Sequence, residues 1–177
     1  MTTAATHTEH DTTREGVLFL AFELSDKTWK LGFPTGHGHK PRERTVTARD
    51  QARVLDEIAS AKRRLKLPET ASVVSCYEAG RDGFWLHRFL QGHGITNHGV
   101  ESSAIEVNRR RRRAKSDGLD VRKWVTMLIR YHQGERQVWR VVKVPSVEAE
   151  DQRHLHRDLE TLKQERASTT TRIKLAQ

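Results

Sequence analysis

An α/β fold with a hairpin-led mixed sheet is predicted by three observations. Apolar segments of strand length alternate with amphipathic segments of helical period. The first two apolar segments are separated by a short turn alone, as antiparallel neighbours are. The later strands are separated from one another by helical segments, which suits parallel pairing through crossovers.

The elements follow in order. Val17 to Leu24 is an apolar run broken by one acid, Glu23, and reads as a buried strand. Ser25-Asp26 makes a turn, and Thr28 to Phe33 alternates as a second, antiparallel strand would. Pro34 to Pro41, with its glycines and histidines, is a loop. Arg44 to Thr47 is a short third strand near an edge. Asp50 suits a helix start, and Val54, Leu55, Ile58, Ala59, Lys62 and Leu65 keep helical spacing after it. Ser72 to Glu78 is a fourth strand ending in an acid. Phe84, Trp85, Leu86, Phe89 and Leu90 then form an apolar helical face ending near Gly92, and Ile95 to Val100 is a fifth strand. A helix from about Asp117 to His132 carries Leu119, Val121, Trp124, Val125, Leu128 and Ile129 on one side. Gln137 to Val144 is a connector. From Val147 onward the chain reads as one long polar helix with a thin stripe of Leu155, Leu159, Leu162 and Ile173. Such a stripe calls for a partner helix or a following domain. Three strands, then helix, strand, helix, strand, helix is an order compatible with a ribonuclease-H-like sheet, in which the first three strands are antiparallel and the later ones parallel.

The 177 residues suffice for one domain of ordinary size plus tails. A net charge of +9 points to a polyanionic partner, although charge alone does not separate DNA, RNA and anionic lipid. The charge is concentrated: Ser103 to Arg136 holds ten Lys or Arg against four acids. Cys76 is the single cysteine, so no internal disulfide can form and a reducing compartment is expected. The sequence contains no apolar run long enough to span a bilayer. The first sixteen residues are rich in Thr, His and acids, lack a signal peptide's apolar core, and read as a disordered lead. An intracellular protein is the expectation.

The densest feature is Arg109-Arg110-Arg111-Arg112-Arg113-Ala114-Lys115, which runs into Ser116-Asp117-Gly118-Leu119-Asp120. Adjacent cations repel, so this run is expected as a loop or frayed element that contacts phosphates in a salt-dependent way. Asp117 and Asp120, three apart, share one helix face. If the first and fourth strands are parallel neighbours, Glu23 and Glu78 sit side by side at their carboxyl ends, where open α/β sheets place their sites. About four carboxylates can hold a pair of Mg²⁺ or Mn²⁺ ions roughly 4 Å apart for phosphodiester displacement. Simpler roles fit three of these acids too: Glu23 as a solvated turn residue, Asp117 as a helix N-cap, Asp120 as a first-turn complement to the helix dipole.

Other residues read as structural. Trp29, Trp85 and Trp124 sit on apolar faces and are expected in the core rather than as base-stacking platforms. His37 and His39 lie in a glycine-rich loop with no second ligand pair. His154 and His156 point apart on a helix. Cys76 is a small buried residue. Ser102 and Ser103 have no identifiable base, and no phosphate-cradling glycine motif is present.

Tyr77-Glu78-Ala79-Gly80, an aromatic-rich helix, and then Arg-Arg-Ala-Lys-Ser-Asp-Gly-Leu-Asp at 112 to 120 resemble the N-terminal half of the DEDD-type insertion-sequence transposases. These are recombinases with a RuvC-like domain and a structured guide RNA. The likeness covers about residues 17 to 175. It implies a RuvC-like domain at 17–144 and a helical connector, the start of a coiled coil, at 145–177. It implies Glu23, Glu78, Asp117 and Asp120 as catalytic ligands of Mg²⁺ or Mn²⁺, with Glu23 standing where the family has Asp. That substitution adds one methylene, and Glu can still bind metal. The resemblance further implies DNA as partner, a guide RNA, a homo-oligomer in full-length members, no membrane, and a bacterial cytoplasmic protein working at the nucleoid. The chain stops at Gln177, before the family's serine-bearing C-terminal domain, so a truncated transposase is expected. Function classes left open are a metal-dependent nuclease or recombinase domain, a non-catalytic nucleic-acid-binding remnant, and a basic α/β domain with no metal site.

Overall fold

The computed structural model describes residues 16–34, 41–80, 84–101 and 121–175, with side chains as far as Arg172. Residues 1–15, His37, His39, Ser102, Ser103, Arg109 to Arg113, Lys115, Asp117 and Asp120 lie outside the described residues. The chain forms two compact units, Met1–Val142 and Lys143–Gln177.

In the first unit, β1 (Val17–Leu24), β2 (Thr28–Phe33), β3 (Arg42–Thr47), β4 (Ser72–Glu78) and β5 (Thr96–Val100) form one sheet in the order β3-β2-β1-β4-β5. β1 pairs antiparallel with β2 and β2 antiparallel with β3, while β1–β4 and β4–β5 are parallel. This is the mixed α/β sheet the element order predicts. Its helices are α1 (Gln51–Arg64), α2 (Trp85–Gly92) and α3 (Val121–His132).

Two boundaries differ from expectation for local reasons. β3 starts at Arg42 because Arg42 pairs with Phe33 across the ladder. Cross-strand pairing, invisible in a polar stretch, decides that end. β5 starts at Thr96 because the amide of Ile95 closes back onto the Leu90 carbonyl at 3.0 Å, ending α2. At α1 the expected cap is present: the Asp50 carboxylate accepts a hydrogen bond from the Arg53 amide at 3.0 Å.

Strand alternation sorts the core into two layers. Leu18, Leu20 and Phe22 of β1 and Val73 and Tyr77 of β4 pack beneath α1 and α2 with Trp29, Leu31, Val54, Ile58, Leu86 and Leu90. Phe19 and Ala21 of β1 and Val74 and Cys76 of β4 pack on the opposite face with Val121, Trp124, Val125 and Leu128 of α3. The segment expected as a plain connector contributes to this second layer. Val138 and Trp139 are buried, Trp139 lies 5.8 Å from the Trp124 ring, and Val141 bridges to Val100.

α3 approaches the sheet closely at one point. A methyl group on Gly32 would stand 2.9 Å from Val121 Cγ2 and 3.0 Å from Val125 Cγ2. Only glycine admits the first turn of α3 this near to β2. At its far end, α3 sets the His132 ring 5.1 Å from Phe19. Gly32 is paired with Ala21, two residues beyond Phe19 on β1. α3 therefore runs antiparallel to β1 and starts toward that strand's carboxyl end.

The second unit contains α4 (Val147–Leu175), a helix of 29 residues. Leu155 is 69% exposed and Leu162 is 61% exposed. Among the described residues no helix is long and apolar enough to cross a membrane.

Candidate functional site

Glu23 and Glu78 are brought together by register. The β1–β4 ladder pairs Phe22 with Tyr77, so the two glutamates occupy the next rung. Phe22 and Tyr77 point into the α1/α2 core, so their neighbours point to the face that α3 covers. The expectation that β1 and β4 are parallel neighbours with their acids at adjacent carboxyl ends is met by the backbone.

Both glutamates line one cleft of about 200 Å³. Ser25, Asp26, Arg49, Trp85 and Trp124 line it too. Trp124 is in the first turn of α3, and its carbonyl accepts a long contact from Cys76 Sγ at 3.9 Å, two residues before Glu78. The start of α3 is thus fixed beside the strand ends that carry the glutamates. Burial pushes the Cys76 thiol well above its ordinary pKa, which makes it an inert packing group rather than a nucleophile.

The electrostatics of the two glutamates differ. Glu23 accepts a hydrogen bond from Lys30 Nζ at 3.3 Å, directly across the β1–β2 ladder. The Glu78 side chain is exposed and makes no hydrogen bond or ion pair among the described residues. On the same face, Arg122 at the start of α3 pairs with Glu43 of β3. A further buried acid, Glu57 of α1, is taken up by Arg53 at 3.0 Å and Arg44 at 3.5 Å, and so plays a structural part.

Two hard carboxylates on adjacent strands, one exposed and one shared with a lysine, are a donor set that suits a divalent cation with oxygen preference. Among the described residues no group of three or more His, Cys, Asp or Glu is gathered for a metal. Glu23 and Glu78 are therefore the described part of the predicted constellation, and Asp117 and Asp120 fall outside it.

Sequence reasoning passed over Lys30, Arg49 and the cleft-side position of Trp85. Lys30 carried a signal, because strand alternation across a short hairpin places it opposite Glu23. Arg49 carried none, since its place depends on the turn between β3 and α1. Also unforeseen was a buried polar chain behind β4. Ser75 Oγ donates to Asn97 Oδ1 at 2.8 Å, which leaves the Asn97 amide nitrogen 3.1 Å from His87 Nδ1. Burial, reinforced by Arg88, lowers the His87 pKa below its ordinary value. The ring is thereby kept neutral and able to accept from Asn97.

No family model matches this chain. It is similar to the protein named "Putative transposase y4rJ" of Sinorhizobium fredii, being 38% identical over 162 residues. That alignment takes in 90% of this chain but 41% of the relative, so the chain spans about two fifths of the length of the curated relative it matches.

Proposed function

We propose that this chain is the N-terminal part of a transposase of a bacterial insertion sequence, with a ribonuclease-H-like (RuvC-like) sheet that supports metal-dependent DNA strand cleavage or exchange. The observation that carries the reading is the pairing of Glu23 and Glu78 on one face at the ends of β1 and β4, in a cleft that the first turn of α3 also lines. Asp120 is bonded directly to Val121, the first described residue of that helix. The similarity to a transposase of Sinorhizobium fredii supports the same direction.

In this reading Glu23, Glu78, Asp117 and Asp120 hold Mg²⁺ or Mn²⁺. The metal supplies charge stabilisation for a displacement at phosphorus and lowers the pKa of a nucleophile. The chain's own groups do the rest. Glu78, exposed at the cleft, offers both oxygens. Glu23 is oriented by Lys30, whose ammonium also offsets the repulsion between two carboxylates on one rung. The arginines 109 to 113 and Lys115 hold the nucleic-acid backbone. The segment that carries them is anchored at Glu101 beyond β5 and at Val121 over β2, and the strands between those anchors are β4 and β1. Both anchors therefore flank the two glutamates. DNA in the bacterial cytoplasm is the substrate, a structured guide RNA is the second nucleic-acid partner, and the full-length protein works as a homo-oligomer.

A second reading is favoured by the Lys30–Glu23 pair, which neutralises one acid without a metal. There the chain is a non-catalytic nucleic-acid-binding remnant. Thermal melting with and without Mn²⁺ separates the two. The catalytic reading expects Mn²⁺ to raise the melting temperature and Asp117→Ala to abolish the rise. The remnant reading expects no Mn²⁺ effect, together with salt-sensitive binding that is lost when arginines 109 to 113 are neutralised.

A further inference from the structure

We propose that Trp85 and Arg49 form a nucleotide-binding wall of the cleft, on which an unpaired base stacks against Trp85 while Arg49 holds its phosphate. The inference rests on the reading of this cleft as a nucleic-acid site and adds which residues grip the strand beside it.

Trp85 departs from the other tryptophans. Trp29, Trp124 and Trp139 are 4%, 2% and 3% exposed, whereas Trp85 is half-buried and lines the cleft with Glu23 and Glu78. Its ring is braced by Trp29, with centroids 5.6 Å apart and planes 31° from parallel. An indole held rigid on its inner side, with surface left in a cleft beside carboxylates, loses little entropy when a flat apolar partner stacks on it. Nucleobases supply that surface without sequence preference, and a single strand presents it unpaired. A paired duplex hides its base faces, so the ligand class is single-stranded nucleic acid.

Arg49 supplies the charge. Its φ is +67°, in the left-handed region that a branched or long side chain rarely adopts. The turn around it enforces this conformation. The Ala48 amide donates to the Lys27 carbonyl at 3.0 Å, the Asp50 amide donates to the Thr47 carbonyl at 3.3 Å, and Asp50 caps α1. The strain is held by fixed neighbours on both sides. Arg49 shares the cleft with Glu23, Asp26 and Glu78, yet it makes no ion pair among the described residues. A guanidinium kept out of carboxylate pairs in an acid-bearing cleft is available for a phosphate, whose geometry it matches in two parallel hydrogen bonds.

The test is titration of the chain with a short poly-dT oligonucleotide, reading tryptophan emission, acrylamide quenching and affinity at several salt concentrations. The wall predicts that the oligonucleotide quenches emission and shields one tryptophan from acrylamide. It predicts that Trp85→Phe, which keeps the packing on Trp29, removes both signals. Trp85→Ala weakens binding about tenfold, the scale of one lost base stack. Arg49→Gly, which relieves the backbone strain, lowers the salt slope by about one phosphate contact. Salt-sensitive binding with emission unchanged and with Trp85→Ala and Arg49→Gly at wild-type affinity overturns the wall and leaves the nucleic-acid reading standing. Absence of any binding to the oligonucleotide, or to an RNA strand of the same length titrated beside it, overturns both.

Discussion

Lys30 Nζ stands 3.3 Å from Glu23 Oε2 across the β1–β2 ladder, so the candidate metal ligand on β1 already has a cation beside it. In the proposed site this ammonium both orients the carboxylate and competes with the metal for it. Lys30→Met is expected to tighten Mn²⁺ binding. Both side chains are partly exposed, and pairs of this kind contribute about 0.2–1 kcal/mol, so the gain should not exceed about fivefold. Calorimetric titration of the variant against the parent chain checks it, and weaker Mn²⁺ binding in Lys30→Met would assign the lysine to orientation alone.

Gly32 sets how closely α3 packs on β2. A methyl at this position would lie 2.9 Å from Val121 Cγ2 and 3.3 Å from the Val121 carbonyl oxygen. Gly32→Ala should therefore cost about 1–3 kcal/mol, the usual range for overpacking. Urea unfolding gives the stability change. Because Val121 follows Asp120 directly, the same variant should also weaken any Mn²⁺ effect on stability. Unchanged stability would show that α3 does not rest on β2 as described.

The His87–Asn97–Ser75 chain makes stability depend on pH. Burial lowers the His87 pKa first, with Arg88 adding to it, and the His98 pKa is lowered by burial, Arg136 and His132. Both rings are then neutral in the fold but free to protonate near 6.5 once unfolded. The unfolded state binds more protons, so their contribution is fully present above that value. It is lost as pH falls below it, until the folded pKa values are passed. Melting temperature followed from pH 8 to about pH 5 should decline, and the decline should be shallower in His87→Gln, which retains a side-chain acceptor for Asn97. An equal decline in the variant would remove His87 from the account.

Much of the sheet was legible in the sequence because its signals are local. The apolar run at Val17 to Leu24 and the alternation at Thr28 to Phe33 mark a hairpin without any tertiary information. Asp50 announces α1 through its own capping bond. The adjacency of Glu23 and Glu78 follows from parallel pairing of β1 and β4, and the ladder between Val17–Ser72 and Phe22–Tyr77 fixes it. What stayed hidden is non-local. Arg49 enters the cleft through the geometry of a turn, and Trp85 reaches it by packing on Trp29 rather than by sinking into the core. Trp139 looked like part of a connector because a lone tryptophan among Arg, Val and Gln has no period to betray burial. Asp117, Asp120 and the arginine run were legible as chemistry, and their placement lies outside the described residues.

In the proposed site Glu23 and Glu78 belong to one metal centre completed by Asp117 and Asp120. Electron paramagnetic resonance of Mn²⁺ added to the chain, beside Glu78→Gln and Asp117→Asn, tests it most directly, because it counts bound metal without requiring turnover. Protein-bound Mn²⁺ is expected in the parent chain, and its loss is expected in each of the two variants. Equal Mn²⁺ binding in all three chains, or none in the parent, would contradict it.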